Sequence, residues 1–291
     1  MIVIGSRGLL KVTRLLEPYL TIFIYRVVTI ARYMASYKAL VKDVIKKADV
    51  LLEVIDARFP DETRNSEVEH EITRLNKPFI IVINKSDLVS REKLEKTKAR
   101  LSRTAPVIFV SSKDRSGTTM LRHQILASAA TKAGIKEQDI LVGTLGYPNV
   151  GKSSVINGVT GRHRASTSSV SGHTKGVQHI GAGSRIMFID TPGVIPFDEK
   201  DEYLQGLLGI KDVTHLKDKI GVALKMIEKM LAENKTALES FYNITIEDET
   251  SYDVLELIGK QCNFLQKKGE VDETRTATKI INDWQNGLLL L

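Results

Sequence analysis

Gly146, Gly151, Lys152 and Ser153 lie in the stretch GYPNVGKSS at the spacing G-x-x-x-x-G-K-[ST]. Glycines at these positions let successive backbone N–H groups close around phosphate oxygens. A helix that starts at the lysine adds partial positive charge. Lys152 supplies a point charge to the β- and γ-phosphates, which makes it a candidate catalytic as well as binding residue, and Ser153 offers a hydroxyl to Mg2+. Asn149, Val150 and Ser154 complete the candidate phosphate loop. Downstream, FIDTPG ends a strand pattern with Asp190 and Gly193. A strand-end Asp of this kind holds Mg2+ through water, and the Gly193 N–H is placed to bond a γ-phosphate. A plain turn closing a strand is the competing reading of D-T-P-G. Between the two motifs, STSSVSGHTKG is polar and rich in Gly and Ser. Thr174 is its candidate for Mg2+ and γ-phosphate contact, whereas His173 reads as a surface residue rather than a base.

A second constellation recognises a base. Asn84, Lys85 and Asp87 form N-K-x-D at the end of the apolar run KPFIIVIN. A carboxylate accepts two hydrogen bonds from guanine, at N1–H and at the 2-amino group. Adenine offers neither and would strand the carboxylate, which disfavours an ATPase. Asn84 is positioned to brace the loop, the stem of Lys85 to lie along the ring, and Ser111, Ser112 and Lys113 to close the other side. Together these residues make up a candidate GTP/GDP site.

The constellations stand in an unusual order, base reader first and phosphate loop second. The intervening pattern explains how both serve one site. ADVLLEVIDARFP, KPFIIVINK, APVIFVSS and DILVGTLG read as buried strands, and each is followed by a helical pattern. Asn65 or Ser66 caps one of these helices and Ser90 another. Alternation of this kind predicts an α/β fold with a mostly parallel sheet and helices on both faces, and VQHIGAGSRIMFID adds a hairpin with one antiparallel edge strand. Strand ends of a parallel sheet line up on one edge whatever their order in the chain. Beyond about residue 200 the strand signal gives way to helices, among them VALKMIEKMLAEN, SYDVLELIGKQCNFLQKKG and ETRTATKIINDWQNG. The expected organisation is a basic segment and helix at 1–47, a nucleotide-binding domain at 48–196 and a small all-α domain at 197–291.

Composition narrows the setting. With 42% hydrophobic and 26% charged residues, the chain is of the soluble globular class. One cysteine, Cys262, excludes an internal disulfide and fits a reducing compartment. The apolar run YLTIFIY is too short for a bilayer span and is closed by Arg26, so no membrane association is expected. A cytoplasmic location follows, with organelle targeting by the basic N-terminus as the minor alternative. The formal net charge of +7 is uneven: residues 1–196 are net basic and 197–291 net acidic. A basic front points to a polyanionic partner, against the plain alternative of solvated helix faces.

DARFP, NKSD, GYPNVGKSS, GHTKG and DTPG in this order resemble the YlqF/YawG-type circularly permuted GTPases, whose phosphate-loop domain has its motifs rotated in sequence. The resemblance runs from ADVLLEVIDARFPDETRN to DTPGVIPF and continues more weakly to DETRTATKIINDWQNG. It implies GTP hydrolysis coupled to a precursor of the large ribosomal subunit, and a helical C-terminal domain that engages rRNA, the protein being a monomer off the ribosome. It also implies that Asn149 is the asparagine associated with K+ in potassium-stimulated relatives. Val194 takes the place where Ras-like enzymes carry the glutamine that orients water, so a slow basal rate is expected. A GTP-dependent scaffold with negligible hydrolysis is the alternative that Val194 leaves open. Where some members have a histidine before the first helix, this chain reads ARYM, which puts histidine-based water activation in doubt.

Overall fold

The computed structural model describes residues 38–130, 139–161, 178–181, 185–190 and 202–290. The chain divides into two compact units, Met1–Asp43 and Val44–Leu291. Residues 38–47 are helical (α1). There follow β1 (Val50–Asp56), α2 (Pro60–Thr63), α3 (Ser66–Arg74), β2 (Phe79–Asn84), α4 (Arg91–Leu101), β3 (Val107–Val110), α5 (Thr118–Ala130), β4 (Ile140–Leu145) and α6 (Lys152–Thr160). The hairpin β5 (Gln178–Gly181) and β6 (Ile186–Asp190) precedes α7 (Glu202–Leu207), α8 (Lys219–Tyr242), α9 (Ser251–Gln261) and α10 (Glu273–Gln285).

Among the described residues six strands form one sheet in the order β3-β2-β1-β4-β6-β5. All neighbours run parallel except β5 against β6. The continuous apolar runs of β1 and β2 are buried along their whole length, as strands covered on both faces must be. On one face Leu52, Val54, Ile80, Val82 and Phe188 pack against Leu121 and Ile125 of α5 and Val155 and Ile156 of α6. Register aligns the carboxyl ends: Asp56 pairs with Asn84, Asn84 with Val110, and Thr144 with Asp190. The strand numbering reverses direction between β1 and β4, which is where an open α/β sheet opens a crevice for a ligand.

Helix boundaries follow local chemistry. Asn65 caps α3 by accepting from Val68 N at 2.9 Å, and Ser90 caps α4. The expected helix ending at Asn234 resumes after it: Asn234 leaves helical geometry (φ −157°), and its side chain accepts from Ala237 N at 3.1 Å, so it caps a second segment that extends to Tyr242. The helix expected over 251–269 stops at Gln261. Left-handed Asn263, Lys268 and Gly269 turn the chain back, and a short bridge forms between Leu265 and Val271. Met226, Ile227, Leu255, Ile258, Ile281 and Trp284 form the buried seam of α8, α9 and α10. Lys225 lies over the Tyr203 ring and Lys229 pairs with Glu62 and Glu233, so these two lysines are engaged within the molecule. The expected division near Pro196 lies outside the described residues. Among the described residues no helix is long and apolar enough to cross a membrane.

Candidate functional site

The phosphate loop occupies the turn from β4 to α6. Gly146 (φ +145°) passes so close to β1 that a Cβ there would stand 2.3 Å from Val54 O. Lys152 is buried, and its ammonium donates to Gly146 O at 2.9 Å and Tyr147 O at 2.7 Å, which holds it over the loop. Ser153 and Ser154 follow in the first turn of α6, where the helix presents its free N–H groups. Asn149 (φ +60°) donates through Nδ2 to Gly209 O at 2.5 Å, tying the loop to the segment after α7.

The base-reading motif sits at the end of β2, two strands away from β4. Asn84 is buried, and its Nδ2 donates to Val150 O at 2.8 Å. Its Oδ1 accepts from Ser112 Oγ at 2.9 Å. One side chain therefore joins the loop after β2, the loop after β3 and the phosphate loop. Gly151 (φ +94°) makes this possible, since a Cβ there would stand 2.2 Å from Asn84 Nδ2. The left-handed Lys85 leads into a single turn of 3-10 helix, Ser86–Leu88, which carries Asp87. Ser111 is buried, accepts from Asp114 N at 3.1 Å and donates to Asp114 Oδ2 at 3.1 Å, so it shapes the loop after β3; Lys113 is exposed on it.

Asp190 ends β6 beside Thr144 of β4, which places its backbone on the same sheet edge as the phosphate loop. Thr174, Gly193, His173 and Val194 lie outside the described residues. Among the described residues there is no cluster of His, Cys, Asp and Glu that would hold a metal. An Mg2+ site here would rest on Ser153, Thr174 and Asp190, all hard oxygen donors of the kind Mg2+ takes.

Sequence reasoning passed over Asp56, Arg58, Trp284 and Glu53 as elements around the site. Asp56 ends β1, fully buried, between the two motif-bearing strands. Burial alone would raise its carboxyl, but Lys85 and Arg58 outweigh that and hold it at about 2. The Lys85 ammonium is pulled down by burial against the opposing pull of Asp56. Arg58 is buried with it and lies 5.0 Å from the centres of both the Phe59 and Trp284 rings. Glu53, in the middle of β1, is the fourth. Burial and then the neighbouring Glu69 push its carboxyl up to about 8. The signals were present in DARFP and in the single Trp of the chain, read as family markers without a structural role.

The chain is similar to known GTP-binding proteins. A model described as 50S ribosome-binding GTPase matches residues 141–260, and one described as RsgA GTPase matches 67–199. An uncharacterised GTP-binding protein of Methanocaldococcus jannaschii is 40% identical over 264 residues, covering 90% of this chain and 68% of that protein. A guanine nucleotide-binding protein-like 3 homolog of Drosophila melanogaster is 32% identical over 291 residues, covering 89% of this chain and 48% of that protein. The chain thus spans about half the length of the fly relative. GNP-bound YlqF from T. maritima superposes with a TM-score of 0.54 over 86% of this chain and 93% of that one. At 21% identity this likeness concerns the fold.

Proposed function

The chain belongs to the circularly permuted GTPases of the YlqF/YawG type, and from that premise we propose that it hydrolyses GTP to GDP and phosphate during assembly of the large ribosomal subunit. The observation that carries the reading is the 2.8 Å hydrogen bond from Asn84 Nδ2 to Val150 O. It joins the loop after β2 to the loop after β4, which supports one site for the base and the phosphates although their motifs are written in reversed order. Asp87 selects guanine by accepting from N1–H and the 2-amino group, and Ser112 and Lys113 close the base from the β3 side. Lys152 and the N–H groups of Gly151 to Ser154 hold the phosphates.

The oxygen donors Ser153, Thr174 and Asp190 hold Mg2+, which supplies charge neutralisation at the transferring phosphoryl group. K+ at Asn149 is the finer part of the reading. The Asn149 amide nitrogen already bonds Gly209 O, so its carbonyl oxygen is the atom left to face a cation. Val194 cannot align water, so the basal rate is slow and the ribosomal particle, K+ or both accelerate it. The matched description of a 50S ribosome-binding GTPase and the basic residues 1–196 support a precursor of the large subunit and its rRNA as the partner. In this reading residues 48–196 form the GTPase domain, 197–291 form the helical domain that meets rRNA, and the chain is a monomer in the compartment where ribosomes assemble.

Co-sedimentation with large-subunit particles in GTP and in GDP tests the partner: retention in GTP alone is expected, and absence from every particle in both nucleotides would refute it. Single-turnover hydrolysis with K+ and particles tests the chemistry. No acceleration under any condition would leave the alternative that Val194 motivates, a GTP-dependent scaffold.

A further inference from the structure

The base-reading turn is held from outside itself. Lys85 takes a left-handed backbone (φ +60°), which a residue with a long side chain adopts at a cost of about 1 kcal/mol or more. Something must over-determine that conformation. The structure shows what: the Lys85 ammonium reaches back across the sheet edge to Asp56 Oδ2 at 2.7 Å. Asp56 lies on β1, a strand that carries neither the base motif nor the phosphate loop, and none of its surface is exposed.

Both carboxylate oxygens are committed. Oδ1 accepts from the Arg58 backbone N–H and from Arg58 Nε, each at 3.1 Å, while Oδ2 accepts from Arg58 Nη2 at 3.0 Å as well as from Lys85. The third arm of Arg58 donates to Trp284 O of α10 at 2.7 Å. The carboxylate therefore cannot rotate away from Lys85 without breaking a bidentate pair whose guanidinium lies against the stacked Phe59 and Trp284 rings. The turn that follows Lys85 is thus anchored at its first residue to a neighbouring strand. Asp87 stands on that turn, two residues on.

We infer that Asp56 is a positioning residue for guanine recognition: by holding Lys85 in its left-handed conformation it fixes the turn from which Asp87 meets the 2-amino edge of the base, and Arg58 in turn fixes Asp56. This rests on the reading of Asp87 as the guanine acceptor. A core ion pair without a part in recognition makes a different prediction, because its loss lowers stability and weakens every ligand alike.

The experiment compares GDP with inosine diphosphate, which lacks the 2-amino group, by calorimetric titration of the full chain. The native chain binds GDP more tightly than inosine diphosphate; if it does not, the assignment of Asp87 fails before Asp56 is in question. In Asp56→Asn, GDP affinity falls roughly 10- to 100-fold and the GDP preference shrinks toward unity, since a loosened turn forfeits the 2-amino contact first. Should Asp56→Asn fail to fold, the paired exchange Asp56→Asn with Arg58→Gln removes both buried charges together and still leaves Lys85 without its carboxylate. A folded variant of either kind that keeps the native ratio of GDP to inosine diphosphate affinity overturns the inference, whatever has happened to its stability.

Discussion

The two ends of the crevice are held by different means. At the proposed phosphate end Lys152 is held locally, by carbonyls five and six residues back, while Asn149 reaches Gly209 O, 60 positions away. At the base end the contacts are remote. Asn84 reaches a carbonyl 66 positions away, and Arg58 behind Lys85 reaches one 226 positions away. The seat of Lys152 is thus encoded by one short stretch, whereas the proposed base end draws on contacts from the far end of the chain. Disturbing distant packing should therefore damage base recognition more than phosphate binding.

The largest test of that difference is Trp284→Ala. Trp284 is fully buried, stacks with Phe59 at 6.0 Å and bonds Leu207 O at 3.1 Å through Nε1. Its truncation should cost about 3–5 kcal/mol in urea unfolding. At temperatures where the variant stays folded, GDP affinity should drop more than affinity for pyrophosphate; an equal drop in both would erase the proposed contrast. Gly151→Ala attacks the one point where the ends meet. The new methyl would collide with Asn84 and sit at φ +94°, so about 2 kcal/mol of stability should be lost, together with GDP and pyrophosphate binding alike. Retention of GDP binding would show that the Asn84 to Val150 bond is dispensable.

A pH series probes the strand between the ends. Glu53 has a folded-state value near 8 against an ordinary 4.5. A raised value means that the folded chain holds a proton the unfolded chain gives up. The stabilising contribution is therefore complete below about 4.5 and is lost as pH rises through about 8. Native stability should decline between pH 5.5 and pH 8.5, and Glu53→Gln should flatten that decline by about 1–2 kcal/mol. Identical pH profiles would place the titration elsewhere. The smallest effect is expected from Asn149→Ala, which removes the bond to Gly209 O at the phosphate end. Its loss should cost about 1 kcal/mol, and a much larger loss of stability would mean that the proposed phosphate end depends on remote packing as much as the base end does.

The same contrast explains what could be read from the chain. The phosphate loop was legible because its chemistry is contiguous, and strand periodicity gave β1 to β4 and their parallel order. The antiparallel edge followed from the Gly-rich hairpin. Asp56, Arg58 and Trp284 were quoted as parts of motifs, but no pattern of spacing announces that a strand end and a helix 226 positions later share a hydrogen bond. The kink of α8 at Asn234 was missed because an asparagine can end one helix and cap the next, and only packing decides which. Left-handed Asn263 and Lys268 gave α9 an end that its apolar periodicity did not foretell.

The central claim is that Asp87 and Lys152 grip one guanine nucleotide from its two ends. Calorimetric titration of Asp87→Asn with GDP and with xanthosine diphosphate, beside Lys152→Ala with both, tests it most directly. The account predicts that Asp87→Asn transfers preference from GDP to the xanthosine nucleotide, whose 2-oxo group suits an amide donor, while Lys152→Ala weakens both without changing their ratio. An unaltered GDP preference in Asp87→Asn would contradict it.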